Sequence, residues 1–168
     1  MSFEELFERM NENLGIKPTD SPEFEKWFAG SKVADAEGHP LTVYKGMMIN
    51  DWKTDKPFTE INSANGPWAG FFTSDLNTAK GFMSAFSGMG PSQVVSVKLS
   101  MKRPMVIDAE GHPAKEYMFD DTVFGKDPTN PGALAAFNQG YDGLIIRNTG
   151  DEADVYVPKD PDQIWRVE

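Results

Sequence analysis

Apolar residues near the start of the chain recur at Phe3, Leu6, Phe7, Met10 and Leu14, the spacing that lines one face of a helix. Ser2 and Glu5 stand ahead of that run as a capping-box pair, so the pattern predicts about three helical turns ending near Gly15. The breaker Lys17-Pro18-Thr19-Asp20 separates it from a second helix, with Ser21 as N-cap, Pro22 in the first turn, Phe24, Trp27 and Phe28 for packing, and Gly30 as its stop. From Lys32 the periodicity shortens. Leu41 to Tyr44 reads as a strand ending at Lys45-Gly46, and Phe71-Phe72 as a shorter one. Ser74 or Asp75 caps a helix running from about Leu76 to Phe86. Val95, Val97 and Leu99 alternate with Val94, Ser96 and Lys98, which marks a strand over residues 93–99. Further strands are expected over 105–107, 143–147, 155–157 and 163–167, with a helix opened by Asn130-Pro131 and ended by Gly140. Residues 50–67 are polar with little periodicity and read as an irregular loop, and residues 87–92 as a mobile one. Helices come first and short strands later, so the class is α+β rather than doubly wound.

The hexapeptide Asp-Ala-Glu-Gly-His-Pro occurs at residues 35–40 and again at 108–113. Its flanks do not match, so it reads as a turn sequence used twice and not as an internal repeat. It contains both histidines of the chain, His39 and His112. With two histidines and no cysteine, disulfides, thiolate zinc sites, iron–sulfur clusters, a cysteine nucleophile and a histidine relay all drop out. No metal is expected. The 168 residues suit one domain over 1–168, with residues 1–20 as a helical N-terminal extension. The formal charge of −10 disfavours non-specific nucleic-acid binding, which depends on cations neutralising phosphates. No apolar run approaches the roughly 20 residues that span a bilayer. The acidic start Met1-Ser2-Phe3-Glu4-Glu5 lacks the layout of a signal peptide, so no membrane association and a cytoplasmic location are expected.

The chain has no Gly-rich phosphate loop, no Gly-x-Ser-x-Gly elbow and no zincin motif. Three clusters still combine polar and aromatic residues at strand ends. They are Tyr44-Lys45-Gly46; Gly70-Phe71-Phe72-Thr73-Ser74-Asp75 with Phe82; and Arg147-Asn148 with Glu152, Asp154 and Tyr156. Taken singly, each also has a structural reading: a strand leaving the core, a buried strand, and a solvated acidic hairpin.

Taken together and in order, the blocks "FEKWFAGSKVADAEGHPLTVYKGM", "GFFTSDLNTAKGF", "VVSVKLSMKRPMVIDAEG", "GYDGLIIRN" and "DVYVPKDPDQI" resemble the ADP-ribosyltransferase domains of polyvalent proteins from phages and mobile elements. The resemblance spans residues 24 to 167. It implies a split, two-sheet α+β core with an NAD cleft between the sheets, preceded here by N-terminal helices. NAD is then the substrate, and no metal is needed. Tyr44, Lys45 and Gly46 match the first motif, with Lys45 where the family has a His or Arg contacting NAD. Lysine lacks the planar fork of Arg and the acceptor option of His.

Phe72, Thr73 and Ser74 match the strand end that floors the nicotinamide pocket, and Phe82 falls where relatives carry a stacking Tyr. Alternatively, Thr73 and Ser74 correspond to the Ser-Thr-Ser element that holds the catalytic carboxylate in the arginine-specific branch. The late acid that stabilises the oxocarbenium-like transition state maps to Asp154 first and Glu152 second. Arg147 would bind pyrophosphate or pair with an acid. The activity implied is transfer of ADP-ribose to a macromolecular acceptor, a host protein in preference to a nucleic acid. With Lys, Phe and Asp at three motif positions, an alternative is a catalytically degenerate fold acting as a protein-binding or inhibitory module. Its contact surface would be the loop carrying Trp52 and Trp68. NAD hydrolysis, with water as acceptor, would use the same pocket.

Overall fold

A computed structural model of the chain describes residues 2–6, 9, 16–48, 72–84, 92–114, 136–137, 139–150 and 153–167. The expected capping box is present: Glu5 N–H donates to Ser2 Oγ (3.1 Å) and Ser2 N–H to Glu5 Oε2 (2.9 Å). Residues 3–6 are helical behind it. Helix α1, Pro22–Phe28, starts where Ser21 Oγ accepts the Phe24 N–H (3.2 Å). It buries Phe24, whose ring meets Trp27, Phe28 and, edge-on, Trp165. Trp27 Nε1 donates to Asp162 O (2.8 Å) and Trp165 Nε1 to Lys17 O (3.2 Å), which fastens this N-terminal segment to the end of the chain.

Strands β1 (Val43–Met48), β2 (Phe72–Thr73), β3 (Ser92–Leu99), β4 (Pro104–Asp108), β5 (Gly143–Arg147), β6 (Val155–Pro158) and β7 (Ile164–Arg166) form a mixed sheet in the order β4-β5-β6-β2-β1-β3-β7. Among the described strands, β4–β5 is the one parallel pair. Two separate sheets were expected from the sequence; the described strands instead form one hydrogen-bonded order. Two groups of three strands are joined through β2, which is two residues long. Strand β1 also runs past its expected end. Lys45 to Met48 pair with Val95 to Ser92 of β3, so partner backbone extends a strand that the Lys-Gly pair suggested would stop.

Because strand side chains alternate, the register divides the residues between two faces. The first face carries Val43, Lys45, Phe72, Val95, Val97, Ile145 and Tyr156. Apart from Lys45 these belong to one buried cluster, which Val33, Leu99, Met101 and Ile164 complete. The alternation read for β3 is thus the boundary of a core. The second face carries Leu144, Ile146, Val155 and Val157, packed with Ala109, Ala114, Ala136 and Phe137 in a cluster of their own. Residues 136 and 137 are the described part of the helix expected over 130–138. Among the described residues, no helix is long and apolar enough to cross a membrane.

Helix α2, Leu76–Ser84, follows β2 directly and packs on β1. Asp75, one of its two candidate caps, accepts both the N–H and the hydroxyl of Thr78 at 2.8 Å each. These two donors, the hydroxyl first, hold the Asp75 carboxyl below its ordinary value. A depressed carboxyl contributes stability above the ordinary Asp range of ~3.9 and loses it as pH falls through the folded-state value. Asp75→Ala is therefore expected to lower the melting temperature near pH ~7 and to lower it progressively less toward pH ~2. An equal drop at both ends of a calorimetric pH series would remove the carboxylate from this role.

Two glycines of this framework differ in what a side chain would meet. A Cβ on Gly150 would lie 2.6 Å from the Gly111 carbonyl oxygen, whereas a Cβ on Gly81, exposed within α2, would meet nothing within 4 Å. Gly150→Ala is expected to cost about 1–3 kcal/mol, and Gly81→Ala to stabilise by about 0.5–1 kcal/mol. Urea unfolding of the two variants checks the opposite signs. Stabilisation in both would show that the 111/150 backbone contact yields freely, and destabilisation in both would remove the gain expected at Gly81.

Candidate functional site

Strand direction gathers the candidate residues at one edge of the sheet. Strands β2, β4 and β5 end at this edge with Thr73, Asp108 and Arg147, and β6 begins there just after Asp154. One row across the first face reads Ile145, Tyr156, Phe72, Lys45 and Val95. The next row toward the edge continues the alternation with Asp108, Arg147 and Asp154, and Ser74 follows β2 beside it. The Tyr156 phenol senses this neighbourhood: burial pushes its pKa up, the Asp154 charge raises it further, and Arg147 acts in the opposite sense.

Asp154 is held on both sides. Ser74 N–H donates to Asp154 O and Asp154 N–H donates to Ser74 Oγ, each at 3.1 Å. This pair prolongs the β2–β6 ladder by one step. The carboxylate oxygen Oδ1 accepts the Asn148 N–H at 3.1 Å, and among the described residues no group donates to Oδ2. Asn148 occupies the left-handed region (φ 55°), which Asn tolerates better than most residues. Its side-chain Nδ2 donates to Asp108 Oδ1 (3.2 Å), and Thr149 Oγ1 donates to Ala153 O (2.6 Å) to close the hairpin. Ser74 and Thr73, expected beside the catalytic carboxylate, both use their hydroxyls as acceptors of backbone N–H groups. The Ser74 hydroxyl accepts a backbone N–H of Asp154, and the Thr73 hydroxyl accepts the Asp75 N–H (3.2 Å) at the start of α2.

Of the residues expected in the site, the register places Lys45, Phe72, Ser74, Arg147 and Asp154 on one face. Ser74 and Arg147 stand on either side of Asp154, and Lys45 lies beyond Phe72, with β6 and β2 between Lys45 and Arg147. Lys45 Nζ lies 5.9 Å from the Phe72 ring centroid, within cation–π range. Phe72 itself is 0% exposed, so in this conformation its ring presents no face to a ligand. Tyr44, Gly46 and Thr73 belong to the opposite face, since Tyr44 pairs with Thr73, and Thr73 with Val155. Phe82 lies on α2. Glu152, Trp52 and Trp68 lie outside the described residues. The clustered view of the sequence included Asn148 but gave it no task, and it took Asp108 for an ordinary turn residue. The signal available was the repeated hexapeptide, whose second copy begins at the strand end next to Arg147.

Two other features lie apart from this edge. A groove of about 430 Å³ is lined by Thr19, Phe24, Glu25, Phe28, Pro40 and Lys98, none of them in the expected set. Lys98 Nζ is committed to its wall, donating to Pro40 O (3.2 Å) and Thr42 Oγ1 (2.5 Å), and burial lowers its pKa. The groove is a seam between α1 and the sheet. In the first hexapeptide, Asp35, Glu37 and His39 bring their ligand atoms within 4.8 Å of one another, all on exposed side chains. Their proximity follows from the turn: Asp35 Oδ1 accepts the N–H groups of Glu37 (3.0 Å) and His39 (2.9 Å).

Comparison with known families bears on the whole of this arrangement. Residues 35–168 match the model of the ADP-ribosyltransferase in polyvalent proteins. No curated protein and no solved structure matches the chain. The match covers β1 to β7 and every candidate residue at the sheet edge. The chain therefore belongs to the family of ADP-ribosyltransferase domains found in polyvalent proteins.

Proposed function

We propose that this domain transfers ADP-ribose from NAD to a protein acceptor, with Asp154 as the carboxylate that stabilises the reacting ribose. The family match supports ADP-ribosyl transfer in general. The observation that carries the finer reading is the register, which sets Arg147 and Asp154 beside Tyr156 and Lys45 on the same sheet face, beyond Phe72. The C–N bond between ribose and nicotinamide breaks, its electron pair leaves on the nicotinamide, and positive charge develops at the ribose anomeric carbon. Asp154 offsets that charge, with Oδ1 anchored by Asn148 and Oδ2 open to a ribose hydroxyl. Lys45 and Arg147 supply the positive charge that the pyrophosphate requires in a chain of net charge −10. The acceptor's nucleophilic side chain then bonds to the anomeric carbon and releases its proton. Phe82 on α2 is assigned to the nicotinamide end, and Glu152 stands as the second acid.

One observation favours a second reading, in which the fold binds a partner without chemistry. Asp154 Oδ1 is already engaged inside its own hairpin, as a purely structural aspartate would be. The variant Asp154→Asn separates the two, because it keeps an acceptor for Asn148 while removing the charge. Nicotinamide release from NAD is expected to fall about 100–1,000-fold with the melting temperature almost unchanged. In calorimetric titration, Lys45→Ala is expected to weaken NAD binding by about tenfold, the equivalent of ~1.4 kcal/mol. Wild-type turnover in Asp154→Asn would overturn the assignment of the acid. No nicotinamide from the wild type, together with a stoichiometric protein complex formed without NAD, would establish the binding module instead.

A further inference from the structure

The two copies of Asp-Ala-Glu-Gly-His-Pro start with the same local bond and finish differently. In each, the aspartate Oδ1 accepts the N–H two residues on: Glu37 for Asp35 (3.0 Å) and Glu110 for Asp108 (2.9 Å). In the first copy the same Oδ1 also takes the His39 N–H (2.9 Å), and Gly38 N–H returns to Asp35 O (3.0 Å). That turn is closed on itself. In the second copy Oδ1 takes the Asn148 side-chain amide instead (3.2 Å). The backbone groups also reach across to the neighbouring hairpin. Ala109 N–H donates to Arg147 O, Gly111 N–H to Asn148 O and Gly150 N–H to His112 O, each at 2.8 Å. The turn is thus laced to the very residues that hold Asp154.

We propose that Asp108 is a positioning residue for Asp154, acting through Asn148. By fixing the Asn148 side chain it keeps that residue in its left-handed conformation, with the backbone N–H aimed at Asp154 Oδ1. The Gly111–Gly150 contact limits how far the two turns slide past each other, since even a Cβ on Gly150 would lie 2.6 Å from the Gly111 oxygen. Anchoring Oδ1 leaves Oδ2 as the oxygen that takes no hydrogen bond from the described residues. The aim matters more for Asp than for Glu, because the shorter arm has one fewer torsion with which to correct an error. A displacement of about 1 Å at a reacting group is enough to cost ~100-fold in rate.

The inference rests on Asp154 being the reacting carboxylate, and the first hexapeptide supplies the control. Nicotinamide release at varied NAD concentration is measured for the full chain and for Asp108→Ala, Asp108→Asn, Asp35→Ala and Asp154→Ala. All assays run well below each melting temperature. In parallel, hydrogen exchange of the Asn148 backbone amide is followed by NMR. Asp108→Ala is expected to lower kcat about 10–100-fold with KM for NAD within about twofold. Asp108→Asn, whose side-chain oxygen still accepts from Asn148, should recover most of that loss. Asp35→Ala loses the same type of turn bond and should leave kcat unchanged. The Asn148 amide should exchange faster in Asp108→Ala and Asp154→Ala but not in Asp35→Ala.

Equal kcat for Asp108→Ala and Asp35→Ala, while Asp154→Ala is inactive, would overturn the positioning role and leave the acid in place. Wild-type turnover in Asp154→Ala, or none in the unmodified chain, would instead overturn the reading of Asp154 as the working acid. The amide data then decide the geometric link by themselves. Unchanged Asn148 protection in Asp108→Ala overturns it in every case.

Discussion

Phe72 and Thr73 are the described residues of β2, and among the described residues the ladder between β1 and β6 passes through these two. A two-residue strand has too few backbone bonds to define its own register, so its side chains must do so. Phe72 enters the first core with no exposed surface, a burial worth roughly 1.5–3 kcal/mol. Thr73, 1% exposed on the other face, turns its hydroxyl to the start of α2. A slip of one residue would drive Phe72 out of its core and a threonine hydroxyl into it. The same slip would separate Ser74 from Asp154. The geometry of the candidate site is therefore fixed by a packing choice made on both faces of one short strand.

Charge at the site follows from placement and not from composition. The chain carries 26 acidic against 16 basic side chains, yet Lys45 and Arg147 occupy neighbouring rows of one face. Screening in physiological salt reduces the influence of distant exposed charges over about 8 Å. The local charges, Lys45 and Arg147 with Asp108 and Asp154, thus set the potential that a ligand meets at the surface. Lys45 combines this with packing, its stem along the sheet and its ammonium above the Phe72 ring. The Tyr156 phenol, affected in opposite senses by Asp154 and Arg147, lies close enough to feel both charges.

What was legible in the sequence was chemistry that closes over three or four residues. Ser2 with Glu5, Ser21 with Phe24, and Asp75 with Thr78 are all bonds whose partners stand three positions apart. The alternation of Val95, Val97 and Leu99 was legible for the same reason, since period 2 is a local property. The extension of β1 through Lys45-Gly46 was not, because it depends on β3 lying alongside. Nor was the single sheet order, which rests on pairing between β2 and β6, more than 80 positions apart. Ser74 and Asp154 were each legible as candidates, and Lys45 and Arg147 with them. The kind of bond between the first two was hidden: Ser74 N–H donates to the Asp154 carbonyl, Asp154 N–H donates to the Ser74 hydroxyl, and the carboxylate turns to Asn148.

The repeated hexapeptide shows where local information ends and topology begins. Its chemistry is the same in both copies, and so is the first bond of each turn. What differs is the strand beside it. The first copy closes a narrow loop between the paired residues Ala34 and Pro40 and has neighbours enough in itself. The second follows β4, whose partner β5 runs parallel. Parallel strands end at the same edge, so the turn leaving β4 and the turn leaving β5 are brought side by side. Strand β6, antiparallel to β5, must begin at that edge, and β2, antiparallel to β6, must end there. Asp108, Asn148, Asp154 and Ser74 meet because four strand ends are obliged to meet. Had β4 paired antiparallel to β5, the same hexapeptide would have formed the same turn at the far end of the sheet, away from Asp154.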